Sequence, residues 1–213
     1  MGIPPAKDMV FIPGGEFTMG SDRHYPEEAP AHRVAVDGFW IDRHTVTNKE
    51  YRRFVDETGY VTVAEKPANA ADYPGAQPEM LVPSSVVFRK SSGPVDYDMA
   101  GNVWEWTTDW YQEHTKIEHA CCTMASPRGG AEQASYDPRT PGVKIPRKVM
   151  KGGSFLCAPN YCRRYRPAAR MAQGVDTSTC HLGFRCVVRV RSALSLGTRA
   201  GGPWFHARFL VTA

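Results

Sequence analysis

Apolar positions along the chain fall in short alternating runs, a spacing that predicts brief strands joined by turns. "MVFIPGGEFTMGS" (9–21) carries two β-prone runs on either side of Gly14 and Gly15, and predicts a hairpin. "HRVAVDGFWIDRHTVT" alternates Val34 and Val36, then Phe39 and Ile41, and predicts a further strand or two. The clearest helical period is in "TNKEYRRFVDETGY". There Thr47 can cap the N-terminus with Glu50 three residues on, Tyr51, Phe54 and Val55 form an apolar stripe, and Gly59 suits the C-terminal stop.

Residues 64–96 are rich in Pro, Ala and Ser, with one apolar strand candidate at 86–88. A loop that long is uncommon in a compact domain unless it has a function or a neighbouring part is missing. "DMAGNVWEWTTDWY" then packs three tryptophans into a short span, and 112–147 reads as irregular. "RKVMKGGSF" and "LGFRCVVRV" predict strands, the second with Phe184, Cys186, Val188 and Val190 on one face and Arg185, Arg189 and Arg191 mostly opposite. Beyond Arg191 the pattern fades, and no internal repeat or low-complexity tract is visible.

Composition narrows this to a loop-rich globular protein. A chain of 213 residues suffices for one domain with a sizeable core or two small ones, and 17 prolines with 19 glycines argue for many turns. The net charge of +4 resides in the tail: from residue 177 onward there are five arginines and no acid. That distribution reads as a solvated basic terminus, not a nucleic-acid surface. No apolar run approaches the ~18 residues that cross a bilayer, the N-terminus has no hydrophobic signal region, and "MGIPPAK" lacks the hydroxyl residue of a myristoylation site. The expectation is a cytoplasmic protein without membrane or nucleic-acid partners, in which a framework of disulfides among six cysteines is disfavoured.

The candidate chemistry begins with Cys157 and Cys162. Four intervening residues are too many for a C-x-x-C hook, and none of the seven histidines shows H-E-x-x-H or H-x-H spacing, so zinc is not expected. Two thiolates alone suit Cu(I), which accepts low coordination and soft ligands. Spacing leaves three readings open: a disulfide or buried packing residues, a redox pair, or a copper site. Arg163, Arg164, Arg166 and Arg170 follow closely and would favour thiolates if they point inward, or else form surface ion pairs. Adjacent Cys121 and Cys122 read as separate packing residues, Cys186 as core, and Cys180 as able to approach Cys157 or Cys162. The carboxylates of Asp98 and Glu105, with carbonyls at Gly101 and Val103, are a donor mixture that Ca²⁺ prefers, though a capped turn with hydrogen-bonded acids fits the same spacing. Trp104, Trp106 and Trp110 suit a core or a peptide groove.

"VFIPGGEFTMGSDRHYPEEAPAHRVAVDGFWIDRHTVTNKEYRRFV", "DMAGNVWEWTTDWY", "KGGSFLCAPNYCRRYRPAAR" and "HLGFRCV" occur in an order that resembles the formylglycine-generating enzymes, or sulfatase-modifying factors. The resemblance covers about residues 9–190, and the G-G-S-x-x-C-x-x-x-x-C stretch marks the oxidase branch. It implies a mixed α+β single domain with low regular secondary structure, short strands and few helices, related to C-type lectins. It also implies an oxidase that uses O2 and a thiol reductant to convert a cysteine in a C-x-P-x-R segment of an unfolded sulfatase polypeptide to Cα-formylglycine. By motif, Cys157 and Cys162 would bind Cu(I), the substrate thiolate would join them, and O2 would bind near Ser154 and Trp104. Asp98, Gly101, Val103 and Glu105 would fall on a calcium site, and the peptide groove would lie near Tyr165 and the arginines.

The chain departs from the family in one respect. A large central block of family members is absent where Asp96 runs into Tyr97, so 1–190 is expected to be one domain with an internal deletion and 191–213 an unmatched basic tail. A shortened, non-catalytic relative that binds a sulfatase peptide is therefore the alternative. A third reading, that "CAP" at Cys157 is itself a modification target, fails because Tyr161 stands where Arg is required.

Overall fold

The computed structural model describes residues 5–88, 102–114, 124–125, 130–158 and 160–189. In chain order the elements are β1 (Met9–Ile12), β2 (Gly15–Met19), β3 (His32–Val36), β4 (Phe39–Asp42), α1 (Asn48–Thr58), β5 (Trp104–Trp110), β6 (Met124–Ala125), β7 (Arg147–Lys151), β8 (Met171–Gly174), β9 (Leu182–Gly183) and β10 (Val187–Arg189). Short 3-10 turns, including Pro26–Glu28 and Glu132–Ser135, lie between them. Among the described residues, one α-helix and many short strands make the mixed α+β architecture with little regular structure that the sequence predicts.

The predicted hairpin at Gly14 and Gly15 does not form. β1 pairs antiparallel with β4 from Met9↔Asp42 to Ile12↔Phe39, and β2 pairs with β3 from Gly15↔Val36 to Met19↔His32. The register is the same across both, so 9–19 runs as one long ladder against 32–42, interrupted in the middle. At the interruption a side chain on Gly14 would meet the Gly38 nitrogen and the Val36 carbonyl at 2.8 Å, which is why glycine stands there. The true reversal is the loop 20–31, which contains the turn Pro26–Glu28.

Among the described residues the strands form three sheets: β1-β4-β10, β2-β3-β6 and β8-β7-β5-β9. The segment 182–189, predicted as one strand, is split between two of them. β9 pairs parallel with β5, after which the chain crosses to pair β10 antiparallel with β4. The crossing is held by Asp42, whose carboxylate accepts the Cys186 N–H at 2.8 Å and whose own N–H donates to the Cys186 carbonyl at 3.0 Å. The break also shifts the phase, so that Val187 is buried while Val188 and Cys186 are half-buried, opposite to the expected apolar face. Burial and the Asp42 carboxylate push the Cys186 thiol up to about 12, so this cysteine is an inert thiol at neutral pH.

The strand candidate at 86–88 reduces to a single bridge, Val86↔Thr179, and Val86, Val87 and Phe88 are exposed. The described residues of 112–147 are largely irregular as expected, apart from β6, the turn Glu132–Ser135 and the start of β7. The Asp96 to Tyr97 junction, Asp98, Gly101, Cys121, Cys122, Val190 and 191–213 lie outside the described residues.

α1 matches its predicted signals. The Thr47 side chain accepts the Glu50 N–H at 3.3 Å, the Glu50 carboxylate accepts the Thr47 N–H at 2.8 Å, and Gly59 stops the helix at φ 66°. Tyr51 meets Phe184 edge-on with centroids 6.3 Å apart, which seats the helix over the β9 to β10 crossing. Thr47→Ala removes half of a reciprocal cap, so urea unfolding is expected to show a loss of about 1 kcal/mol with an unchanged m-value. A midpoint equal to wild type would show that the cap contributes nothing to the folded domain.

Candidate functional site

The site is built where β7 ends. β7 lies between β8 and β5, with Met150 opposite Trp106 and Lys151 opposite Glu105. Gly152 and Gly153 follow at φ 89° and 64°, a left-handed pair that turns the chain sharply inward. A side chain on Gly153 would come within 2.8 Å of the Tyr165 backbone, so the two segments of the loop approach closely at that point.

Ser154, buried to 1% exposure, organises the turn that follows. Its carbonyl accepts the Cys157 N–H at 2.9 Å and its hydroxyl accepts the Leu156 N–H at 3.2 Å. The Ala158 carbonyl then accepts the N–H groups of Tyr161 and Cys162, at 3.1 and 2.8 Å, which curls the chain back on itself. The Phe155 N–H reaches the Asn102 carbonyl at 3.0 Å and ties this loop to the segment entering β5. Cys157 Sγ and Cys162 Sγ consequently lie 3.0 Å apart, and both are free thiols. A disulfide bond is about 2.05 Å long.

β5 completes the site. Trp104 donates its N–H to the His181 carbonyl at 2.8 Å, and its ring is buried with Met150 and Cys157. Trp106, Cys162, Tyr165, Met171 and Leu182 pack around that core. The structure thus brings together Trp104, Ser154, Cys157 and Cys162, four residues drawn from two separated motifs. Cys180 does not join them: it is exposed, and its sulfur accepts the Phe88 N–H at 3.3 Å. Of the tryptophans, Trp110 lies under the Lys148 ammonium at 3.4 Å and takes no part in the core around Cys157.

Of the two alternatives for the arginines, Arg164 and Arg166 take the ion pair, with Arg164 also within electrostatic reach of Cys162. Arg164 pairs with Glu27, Arg166 pairs with Glu28, and Arg170 donates to the Gln112 carbonyl at 2.8 Å while lying over the Tyr111 ring. Burial pushes the Cys157 thiol up, and the hydrogen-bonding sulfur of Cys162 adds to this, while hydrogen bonds involving Ser154 pull the other way. Cys157 is therefore a protonated thiol at neutral pH when nothing is bound to it.

Val103 and Glu105 flank Trp104, and Glu105 is engaged by Arg185, Nε to Oε2 at 2.8 Å. Among the described residues no group of three or more His, Cys, Asp or Glu converges as a metal cage. Two facing sulfurs without a third side-chain donor fit a soft ion of low coordination number, and the donor set matches Cu(I) in that respect. The sequence pattern did not single out Tyr25, Glu27 and Glu28, which grip the arginines after Cys162. An acidic pair in "YPEEAP" facing a basic run 137 or 138 residues later was the available signal.

A family model described as the sulfatase-modifying factor enzyme 1-like domain matches residues 3–89 and 84–190. The formylglycine-generating enzyme of Mycobacterium tuberculosis is 30% identical over 301 aligned residues, covering 84% of this chain and 97% of that protein. The formylglycine-generating enzyme of Mus musculus is 26% identical over 291, covering 84% of this chain and 74% of that one. Among solved structures, PvdO from Pseudomonas aeruginosa is similar in fold, with a TM-score of 0.54 at 19% identity, covering 88% of this chain and 97% of that one.

Two outcomes follow from the geometry. In the metal-free protein, iodoacetamide is expected to label exposed Cys180 well before Cys157, and the Cys157 rate is expected to keep climbing at pH values above the ordinary thiol range. Mass spectrometry of quenched digests reads both, and labelling of Cys157 as fast as Cys180 at pH 7 would contradict a buried neutral thiol. Gly153→Ala combines a left-handed backbone with a backbone clash, so it is expected to cost roughly 2–4 kcal/mol in urea unfolding. A loss under about 0.5 kcal/mol, the range of ordinary surface changes, would mean that the approach to Tyr165 is not tight.

Proposed function

Because the chain belongs to the sulfatase-modifying factor enzyme 1-like family, we propose that it is a copper-dependent oxidase. It converts a cysteine in a C-x-P-x-R segment of an unfolded sulfatase polypeptide to Cα-formylglycine. The observation that carries this reading is the free Cys157 and Cys162 pair, 3.0 Å apart and walled by Trp104 and Ser154.

Cys157 and Cys162 would hold the copper ion, which when bound would supply the O2-activating chemistry and a place for the substrate thiolate. The protein's own groups prepare that place. The Ser154 carbonyl and hydroxyl fix the amides of Cys157 and Leu156, so one ligand is set on a rigid turn. The Trp104 ring closes the buried side against Cys157, while Cys162 stays half-buried. Binding releases the Cys157 proton, so metal uptake is favoured by rising pH. The overall reaction balances as one thiol, one O2 and two reducing equivalents from a thiol reductant giving one aldehyde, one hydrogen sulfide and one water.

For calcium at Asp98, Gly101, Val103 and Glu105, the supporting observation is that Val103 and Glu105 stand on either side of Trp104. An ion there would share the Glu105 carboxylate with Arg185.

One observation favours the second reading, a shortened non-catalytic relative that binds a sulfatase peptide. The alignment with the Mycobacterium tuberculosis protein spans 301 positions yet covers 84% of a 213-residue chain, so well over a hundred positions face a gap in this chain. Near the place where the two family-matched segments meet, Met80, Val82, Val86, Val87 and Phe88 are exposed.

The two readings separate in one assay. Protein loaded with Cu(I) and given a C-x-P-x-R peptide, air and a thiol reductant is expected to yield the aldehyde, read as an 18 Da mass loss, a difference fixed by the balanced reaction. Cys157→Ala and Cys162→Ala are each expected to abolish it and to release copper to a competing chelator. Copper retention without aldehyde would sink the oxidase reading and leave the binding module.

A further inference from the structure

We propose that the loop turn at 25–28, acting through Tyr25 and Glu28, is the positioning device that sets the Cys162 sulfur against Cys157. The inference takes Cys157 and Cys162 as the reactive pair and assigns a role to residues that lie outside the sulfur site.

The two cysteines are held unequally. Cys157 is 3% exposed, its N–H is fixed by Ser154, and its side chain sits in the core with Trp104 and Met150. Cys162 is half-buried, and its N–H is held by Ala158 from within the same small loop. A loop held to itself can still swing as a unit, so the location of Cys162 depends on what grips the chain just beyond it.

That grip comes from the N-terminal loop. The Arg163 N–H, which belongs to the same peptide unit as the Cys162 carbonyl, donates to the Tyr25 hydroxyl at 3.1 Å. The Arg164 guanidinium lies 4.0 Å above the Tyr25 ring and pairs with Glu27. Arg166 donates from both terminal nitrogens to the two carboxylate oxygens of Glu28. Three of the four residues that follow Cys162 are thus seized by one turn of three to four residues.

The turn is itself rigid. The Glu28 side chain is 0% exposed, its N–H donates to the Tyr25 carbonyl at 2.9 Å, and its carbonyl accepts the Ser21 N–H at 3.1 Å and faces His114 Nδ1 at 3.2 Å. Gly20 lies so close beneath that a side chain there would clash with the Glu28 carbonyl. A bidentate carboxylate–guanidinium pair fixes direction as well as distance. A buried ion pair is weak evidence for stability, and fixing one arrangement among several is the better-attested use of such pairs. Here the arrangement fixed is that of Arg166, and through 163–166 that of Cys162.

The test uses the full chain without copper and without substrate, so its result is independent of whether the oxidase reading stands. Metal-free protein is equilibrated in glutathione buffers, where one oxidised glutathione and the two thiols exchange to one intramolecular disulfide and two reduced glutathiones. Glu28→Gln keeps the shape of the side chain while removing the charge that holds Arg166, and is expected to lower that equilibrium constant about tenfold. Tyr25→Phe keeps the ring under Arg164 and removes the oxygen that holds the Arg163 N–H, and is expected to lower it roughly threefold. Thr47→Ala, remote in α1, controls for general destabilisation and is expected to leave it unchanged, because global stability does not enter the exchange between two folded forms. Should Glu28→Gln fail to fold, Tyr25→Phe decides. An equilibrium constant unchanged or raised in the folded variants would overturn the proposal and make the turn a packing element alone.

Discussion

The antiparallel register of β5 on β7 is the constraint from which the site follows. Pairing Trp106 with Met150 and Glu105 with Lys151 sets Trp104 beside the point where β7 ends. The next two residues are the left-handed glycines, so the chain enters its turn directly over the tryptophan. A register slip by one residue would turn Trp104 to the opposite face and leave the sulfurs without their buried wall. β8 and β9 then secure the outer sides of this pair, each in contact with one of the two strands.

The electrostatics around the sulfurs run against the simplest chemical expectation. A basic run beside two cysteines suggests thiolates held by positive charge, yet carboxylates of the 20–31 loop take up two of those guanidinium groups first. The preference is physical. A charge-assisted hydrogen bond between guanidinium and carboxylate contributes more than a contact with a sulfur that carries its proton at neutral pH. A neutral thiol pair is also less costly to bury than a thiolate pair would be. Cys157 therefore rests as a thiol, and an ion bound there would displace its proton.

What could be read from the sequence divides along the range of the interactions involved. α1 was legible to its ends because the Thr47 and Glu50 cap and the Gly59 stop act within a turn of where they stand. The existence of most strands was legible for the same reason, through local alternation. Their partners were not: Gly14 and Gly15 have the composition of a hairpin turn, but glycine is needed there because the backbone of 36–38 passes within contact distance. The segment 182–189 likewise reads as one strand until Asp42, some 140 residues earlier, captures Cys186 and divides it. At the candidate site, the meeting of Cys157, Cys162, Ser154 and Trp104 was legible through motif resemblance, not spacing. Glu28 was not, because a buried acid declares itself only once its arginine is found across the fold.

The division of the chain also separates the residues of the candidate site from those that leave apolar surface exposed. β5, β7, β8 and β9 all come from residues 104–183, and the clamp on Cys162 comes from 25–28, so no strand of the site's sheet arises from 60–88. The apolar surface left uncovered lies elsewhere, at Met80 with 71% exposure and Val87 with 67%, beside the meeting point of the two family-matched segments. Each such side chain forgoes about 1.5–3 kcal/mol relative to full burial. A few of them amount to a substantial part of the stability of an ordinary domain, which is 5–15 kcal/mol. The shortfall falls on the stability and solubility of the 60–88 region, while the register of β5 on β7 depends on none of those residues. Stability and site geometry are therefore separable in this chain: the exposed apolar side chains of 80–88 bear on the first, and none of them lies on a strand of the sheet that carries the sulfurs.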